Sequence, residues 1–490
     1  MDKAQFDQWG KEGHNRIPVW RSVLADLDTP LSVYLKLCDG RDSYLFESVE
    51  GGATWGRYSI IGLPCRRRYE VREREMRVFD FGVEVDRRHC EDPLSDIAAL
   101  QSGFSVPRVD DLPLFTGGLV GYFGYETVHL IEPKLASVEK ENQLDTPDIV
   151  LLLSEEVAVF DNLAGKLWLI VNADPASEDA WGQAQRRLDN LEHRLRAGST
   201  GYGMSWGGAS VHENDFSYGF TREEFIRAVE RCKEYILSGD IFQVVLSQRM
   251  SVPFSARPLD VYRALRALNP SPYMYFIDLG DTRIVGSSPE VLVRVQNRQV
   301  TVRPIAGTIH RGSNRAEDQR LAEQLLADPK ERAEHVMLID LGRNDVGRVA
   351  RTGSVQVTDN MVIERYSHVM HIVSQVDGEL APEHTAMDAL RAAFPAGTLS
   401  GAPKIRAMEI INECEPVQRN IYGGAVGYLS WHDDADLAIA IRTAVIREGH
   451  LHVQAGAGIV ADSDPGREWE ETMNKGRALI TAVDRASRGL

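Results

Sequence analysis

The chain has 490 residues, with 72 acidic and 55 basic side chains and a formal net charge of −17. That length allows one large domain or two to three ordinary ones with ample core. The acidic balance argues against a nucleic-acid binder, which would carry a basic stripe or tail.

Five scattered cysteines, odd in number and without a Cys-x-x-Cys pair, read as reduced core thiols of a reducing compartment. The opening Met1-Asp-Lys-Ala-Gln-Phe6 lacks the apolar stretch of a signal peptide, and no uncharged apolar run reaches membrane-spanning length. The expectation is a cytoplasmic protein with no membrane partner.

Residues 18–172 alternate short β-rich runs with turn signals, among them Trp55 to Gly62, Val71 to Val85 and Ile149 to Phe160. The last run and Lys166 to Val171, joined through Asp-Asn-Leu-Ala-Gly, predict a hairpin. Ala173 to Ala197 predicts a charged, Ala-rich helix, and the Gly/Ser-rich stretch Gly198 to Ser210 is the best boundary candidate. The predicted organisation is thus an N-terminal region (18–172), a helix and connector (173–220) and a second unit (221–485). That unit opens on the capping box Thr221-Arg-Glu-Glu224, continues with Phe225, Ile226, Val229, Cys232 and Ile236 at helical spacing, and stops at Gly239. Predicted strands follow at Ile241 to Ser247, Tyr273 to Asp278, Val291 to Val295 and Val300 to Ile305, mixed with helices but without a βαβ repeat. The fold class is therefore α+β with largely antiparallel sheets. Gly117-Gly-Leu-Val-Gly-Tyr122 is echoed by Gly423-Gly-Ala-Val-Gly-Tyr428, which implies close backbone approach in two related places.

Two acidic helical segments carry chemistry. Glu331 and Glu334 in one, and Glu468 and Glu471 in the other, stand three residues apart, so each pair faces one side of its helix. Such pairs suit a hard divalent cation such as Mg2+, and Lys475, four residues after Glu471, lies on the same face. Gly456-Ala-Gly458-Ile-Val-Ala461 matches a dinucleotide-binding signature, but Asp462-Ser-Asp-Pro-Gly466 follows where a helix N-terminus should meet pyrophosphate. Its glycines can still present bare backbone N–H groups to a carboxylate. Arg442, within the apolar Ile439-Ala-Ile-Arg-Thr, needs a carboxylate partner from the protein or a ligand.

Together with Ser287-Ser-Pro-Glu290, Pro304-Ile-Ala-Gly-Thr308, Glu334 to Asp345, Phe394 to Lys404, Gly456 to Val460 and the segment ending at Lys475, these residues carry a resemblance. The sequence resembles the chorismate-utilising enzymes, and among them the anthranilate synthase component I branch, from about residue 18 to 485. The resemblance implies a layered α/β/β/α chorismate-binding fold of two packed sheets flanked by helices. It implies Mg2+ held by Glu334 and Glu471 with Glu331 and Glu468 as nearby or water-mediated partners. It further implies that Arg442, Tyr422, Lys475 and the backbone at Gly456 and Gly458 hold the enolpyruvyl carboxylate, while Thr308 and Thr398 position the ring.

The implied reaction is attack of ammonia at C2 with loss of the C4 hydroxyl, giving aminodeoxyisochorismate, then elimination of pyruvate to anthranilate. Glu290 is the candidate general acid, which requires a raised pKa, and His371 handles the proton of the elimination. Gln243 stands where water-using relatives have a lysine base, and Ala306 where some aminating relatives have a nucleophilic lysine. Both point to amination at C2. Leu45-Phe-Glu-Ser48 and Asn269-Pro-Ser-Pro272-Tyr273-Met274 resemble a tryptophan-binding regulatory element, with Glu47 and Ser48 receiving the ammonium and Pro272, Tyr273 and Met274 nearby. No amidotransferase nucleophile motif is present, so a separate glutaminase subunit is the expected ammonia source. The alternatives are a synthase that stops at aminodeoxyisochorismate and a non-catalytic tryptophan- or chorismate-binding protein.

Overall fold

Alternation of apolar residues within continuous apolar runs builds the architecture. In Ile149–Ser154, Val150 and Leu152 point into one core while Ile149, Leu151 and Leu153 point into another. In Glu156–Asp161, Val157 and Val159 join Val150 and Leu152, whereas Ala158 and Phe160 face a third core. Strands buried on both faces read as unbroken apolar sequence, because the period of two is hidden. Ile149 to Phe160 is therefore two strands in different sheets, and only the second forms the predicted hairpin with Lys166–Ala173.

The computed structural model describes residues 1–48, 56–137, 140–197, 202–203, 208–366 and 369–490. Two large antiparallel sheets stack face to face. The first runs from Ile17–Leu24 at one edge, through Ser43–Glu47, Tyr273–Asp278, Thr282–Ser288, Thr443–Arg447 and His450–Ile459, to Gln243–Pro253 and Ser217–Tyr218. The second runs from Ile305–His310 and Val369–Glu379, through Val291–Gln296, Ala435–Ile439, Ala425–Ser430 and Gly118–Phe123, to Val83–His89. Tyr44, Tyr122, Tyr275 and Ile284 belong to the core between them. Helices cover the outer faces: Ala180–Arg196, Pro258–Leu268 and Pro465–Arg488 on the first sheet, Pro329–Gly347 and Ala386–Ala393 on the second. This is the expected α/β/β/α layering.

Residues 18–172 supply strands to both sheets, paired directly with strands from beyond residue 221. Ser43–Glu47 pairs with Tyr273–Asp278, and Gly118–Phe123 with Ala425–Ser430. The division at 173–220 is thus one of chain order, across which hydrogen bonding is continuous. Trp55 and most of the Gly/Ser-rich connector lie outside the described residues. The repeated glycine motif proves to be one place rather than two: Gly121 and Gly427 face each other as register partners. A Cβ on Gly121 would stand 1.9 Å from the Val150 carbonyl oxygen.

The predicted capping box forms, with the Glu224 amide donating to the Thr221 hydroxyl and the Thr221 amide to the Glu224 carboxylate. All five cysteines are free thiols. No helix among the described residues is long and apolar enough to cross a membrane.

Candidate active site

Two of the places where the chain passes from one sheet to the other lie side by side. Ser288-Pro289-Glu290 links Thr282–Ser288 of the first sheet to Val291–Gln296 of the second, and Ala440-Ile441-Arg442 links Ala435–Ile439 of the second back to Thr443–Arg447 of the first. The crossings are laced together, since the Ser287 amide donates to the Arg442 carbonyl at 3.1 Å and the Ile439 amide to the Glu290 carbonyl at 3.0 Å. Their side chains enter a cavity of about 550 Å³.

The cavity gathers Glu290, Arg442, Gln243, Thr308, Thr398, Tyr422, Gly456, Gly458, Lys475 and the four glutamates Glu331, Glu334, Glu468 and Glu471. Residues from six predicted segments therefore share one space. His371 stands directly behind its wall as the register partner of Thr308, and its Nδ1 lies 3.0 Å from both the Gly307 carbonyl and the Thr308 hydroxyl. Burial lowers its pKa, so the ring is neutral at pH 7. Donation from Nδ1 to the Gly307 carbonyl leaves Nε2 as the basic nitrogen.

Glu290 is buried, and burial pushes its carboxyl up to about 8 against the opposing pull of Thr398, the Ile305 amide, Arg442 and Lys475. The Thr398 hydroxyl lies 3.1 Å from its Oε1. A carboxyl held in this way is protonated at neutral pH and able to donate.

Arg442 departs from its expected place in a strand. It sits at a crossing with φ +49°, a left-handed conformation that costs a non-glycine residue about 1 kcal/mol or more. Burial lowers its pKa, and Tyr366 and Glu290 oppose that. No hydrogen bond or ion pair to its guanidinium is found among the described residues.

Gly456 and Gly458 lie inside strand His450–Ile459, not at a helix-opening turn, which disposes of dinucleotide binding there. Their bareness serves close approach instead. A Cβ on Gly456 would come within 2.8 Å of the Tyr422 hydroxyl, and one on Gly458 within 2.8 Å of the Gln243 amide nitrogen. That amide donates to Glu334 at 3.1 Å. Lys475 bridges the Gly456 carbonyl (2.9 Å) and Glu471 (2.7 Å).

The two acidic helices, Pro329–Gly347 and Pro465–Arg488, meet across the cavity. Burial first, then neighbouring carboxylates, raise Glu331 and Glu468, and Glu468 Oε2 is buried without a hydrogen-bond partner. Among the described residues no three carboxylate, imidazole or thiol groups close into a preformed cage. An oxygen-rich, mutually repelling set with an unsatisfied buried oxygen still fits a hard cation that keeps water or ligand oxygens in its shell.

Sequence reading assigned no role to two buried ion pairs behind the walls. Lys404 donates to Asp345 at 2.9 Å, tying the helix of Glu334 to the segment bearing Thr398. Arg419 ion-pairs with Glu415 and donates to the carbonyls of Leu399 and Val245, both wall residues, at 2.7 Å. The i, i+4 spacing of Glu415 and Arg419 was the available signal. Lys330, Gln454 and Ser463 also line the cavity.

The five residues of the expected regulatory element converge on a second cavity of about 400 Å³ between central strands of the two sheets. Pro272, Tyr273, Met274, Ser48 and Glu47 line it, with Phe46, Tyr58, Phe115 and Tyr428. The Glu47 carboxylate is already engaged: Arg266 grips both its oxygens at 3.0 Å and the Tyr262 hydroxyl donates to it.

The chain is similar to known proteins along nearly all of its length. Residues 59–481 match the family model described as chorismate binding enzyme. Anthranilate synthase component 1 from Pseudomonas aeruginosa is 57% identical over 491 residues, covering 100% of both chains. The protein of the same name from a Neisseria meningitidis serogroup B strain is 54% identical over 493 residues, covering 100% of this chain and 99% of its own. The crystal structure of anthranilate synthase component I from Streptococcus pneumoniae superposes with a TM-score of 0.79 at 39% identity, over 94% of this chain and 99% of that one. The menaquinone-specific isochorismate synthase of Escherichia coli shares the fold at 19% identity, with a TM-score of 0.71 over 98% of each chain. The chain belongs to the family of chorismate-binding enzymes.

Proposed function

We propose that this protein is the aminating component of an anthranilate synthase, converting chorismate and ammonia to anthranilate and pyruvate through aminodeoxyisochorismate. The observation that carries the reading is the placing, at the laced crossings, of a buried Glu290 and an Arg442 with no hydrogen-bond or ion-pair partner among the described residues, both lining one cavity. Chorismate is a dicarboxylate whose C4 hydroxyl must be protonated to leave.

Arg442, the Tyr422 hydroxyl and the backbone at Gly456 and Gly458 receive the enolpyruvyl carboxylate, with Lys475 beside them. Glu290 gives its proton to the departing C4 hydroxyl as ammonia forms the C2–N bond, and Thr398 fixes its orientation. Gln243 has no basic lone pair at neutral pH, which suits a nucleophile that needs no activation. For the elimination, neutral His371 takes the C2 proton through Nε2 as the bond to the enolpyruvyl oxygen breaks, while the Gly307 carbonyl and the Thr308 hydroxyl hold the ring at Nδ1. Mg2+, held through Glu334 and Glu471 with Glu331 and Glu468 behind them, supplies charge neutralisation and orientation for the ring carboxylate.

Ammonia comes from a partner glutaminase, as the component 1 names of the relatives suggest, and tryptophan occupies the second cavity as inhibitor. A cytoplasmic location fits both. Incubation with chorismate, Mg2+ and excess ammonium tests the reading, with products identified by mass spectrometry and fluorescence. Anthranilate and pyruvate are expected, lost on chelation and restored by Mg2+. Accumulated aminodeoxyisochorismate would overturn the elimination step, isochorismate the assignment of ammonia, and absence of turnover the enzyme reading.

A further inference from the structure

The two cavities are built from the same strands. Tyr273, on the rim of the second cavity, is the register partner of Ser288, two residues before Glu290. Arg294 follows Glu290 by four positions, in the strand Val291–Gln296 that the crossing opens, and Asp436 precedes Arg442 by six. Arg294 and Asp436 are register partners in the second sheet, while Tyr273 belongs to the first. Their side chains meet between the sheets. Asp436 accepts from the Tyr273 hydroxyl at 2.9 Å and from Arg294 at 2.6 Å, and Arg294 lies 3.2 Å from the Tyr273 oxygen.

This bridge binds the first sheet to the second immediately beside the crossings that carry Glu290 and Arg442. Both oxygens of Asp436 are engaged within it, so the carboxylate is a fastening and not an open receptor for a ligand's ammonium. A molecule large enough to fill the second cavity would press on this bridge, since Tyr273, Arg294 and Asp436 all line that space. Packed sheets answer such pressure by moving as rigid bodies rather than by local give.

We infer that Asp436 is a positioning residue, whose bridge to Tyr273 and Arg294 sets the placement of Glu290 and Arg442 and transmits occupancy of the second cavity to chorismate binding. The transmission rests on the reading of that cavity as the tryptophan site; the positioning does not. Reciprocity requires chorismate to weaken tryptophan by the same factor as tryptophan weakens chorismate.

The test compares wild type with Asp436→Asn, measuring the chorismate KM and kcat without and with saturating tryptophan, and tryptophan affinity by calorimetry. Wild type should show a KM raised at least about tenfold by tryptophan. In the variant that ratio should fall to about twofold or less, with tryptophan affinity kept within about threefold. A ratio unchanged from wild type would overturn the inference, and so would loss of tryptophan binding, which would make Asp436 a ligand contact.

If wild type binds no tryptophan, the inhibitor reading fails and the positioning claim is judged on the basal constants alone. There Asp436→Asn should raise the chorismate KM at least about threefold, with a smaller change in kcat; an unchanged KM would refute it. Tyr273→Phe, which removes only the bonds across the sheets, replaces Asp436→Asn in the basal comparison should the latter fold poorly, with the same expected rise in KM and the same contrary result.

Discussion

The two cavities lie in one frame and treat charge in opposite ways. Around the second, each carboxylate of the described lining is already compensated: Asp436 by Tyr273 and Arg294, Glu47 by Arg266 and Tyr262, Asp434 by the Asn297 amide. Its remaining lining is largely aromatic and apolar. Around the first, Lys475 pairs with Glu471 and Gln243 donates to Glu334, but three groups go without. Arg442 has no side-chain partner among the described residues, Glu468 keeps a buried oxygen unsatisfied, and Glu290 stays neutral because burial outweighs its neighbours. Uncompensated buried charge destabilises a fold, by several kcal/mol per ion in the general case, and is kept where a ligand supplies the missing partner. Recognition of an apolar ring needs no such cost; polarisation of a leaving group does.

The contrast can be broken most severely at Glu290. Glu290→Gln keeps the shape and the Thr398 contact but has no proton to give, so kcat should fall about 10²- to 10⁴-fold, with chorismate binding retained in calorimetry. Turnover near wild type would remove Glu290 as the acid. Next in size is Arg442→Ala. Losing a charge-assisted pair with the substrate carboxylate costs about 1.5–3 kcal/mol, or roughly a 10- to 100-fold rise in KM, read from steady-state kinetics. A change confined to kcat would mean that Arg442 does not hold substrate. The smallest effect concerns the shared frame. Gly121→Ala places a Cβ against the Val150 carbonyl, and overpacking of this kind costs about 1–3 kcal/mol, measurable in denaturant melts. An unaltered midpoint would show that the bare Cα of Gly121 is not needed for the close approach of Gly118–Phe123 to Ile149–Ser154.

Much of this was legible in the sequence, and the gaps have physical causes. Strand Tyr273–Asp278 and the helix opened by Thr221 lie where local signals placed them, because turn and capping chemistry is local. The break between Ser154 and Glu156 was hidden, since strands buried on both faces lose their alternation. The cavity residues were recognisable one by one through motif resemblance, yet their convergence depends on two sheet crossings that no local pattern announces. Arg442 looked like a strand residue; only the topology makes it a crossing residue with positive φ. Glu47 lay in the right motif, but its engagement by Arg266, more than two hundred positions away, is a tertiary fact. The pairs Lys404–Asp345 and Arg419–Glu415 were missed because buried ion pairs and solvated charges look alike in sequence.

The most direct test of a neutral acid beside an unpaired cation is the pH dependence of kcat/KM for chorismate, with rates expressed per concentration of free ammonia. Because burial raises Glu290 to about 8, the acid is present below that pH and lost above it. Wild type should lose activity about tenfold per pH unit on the alkaline side of 8, and Glu290→Gln should lack that limb. A plateau extending well above pH 9, or an identical alkaline limb in the variant, would contradict the account.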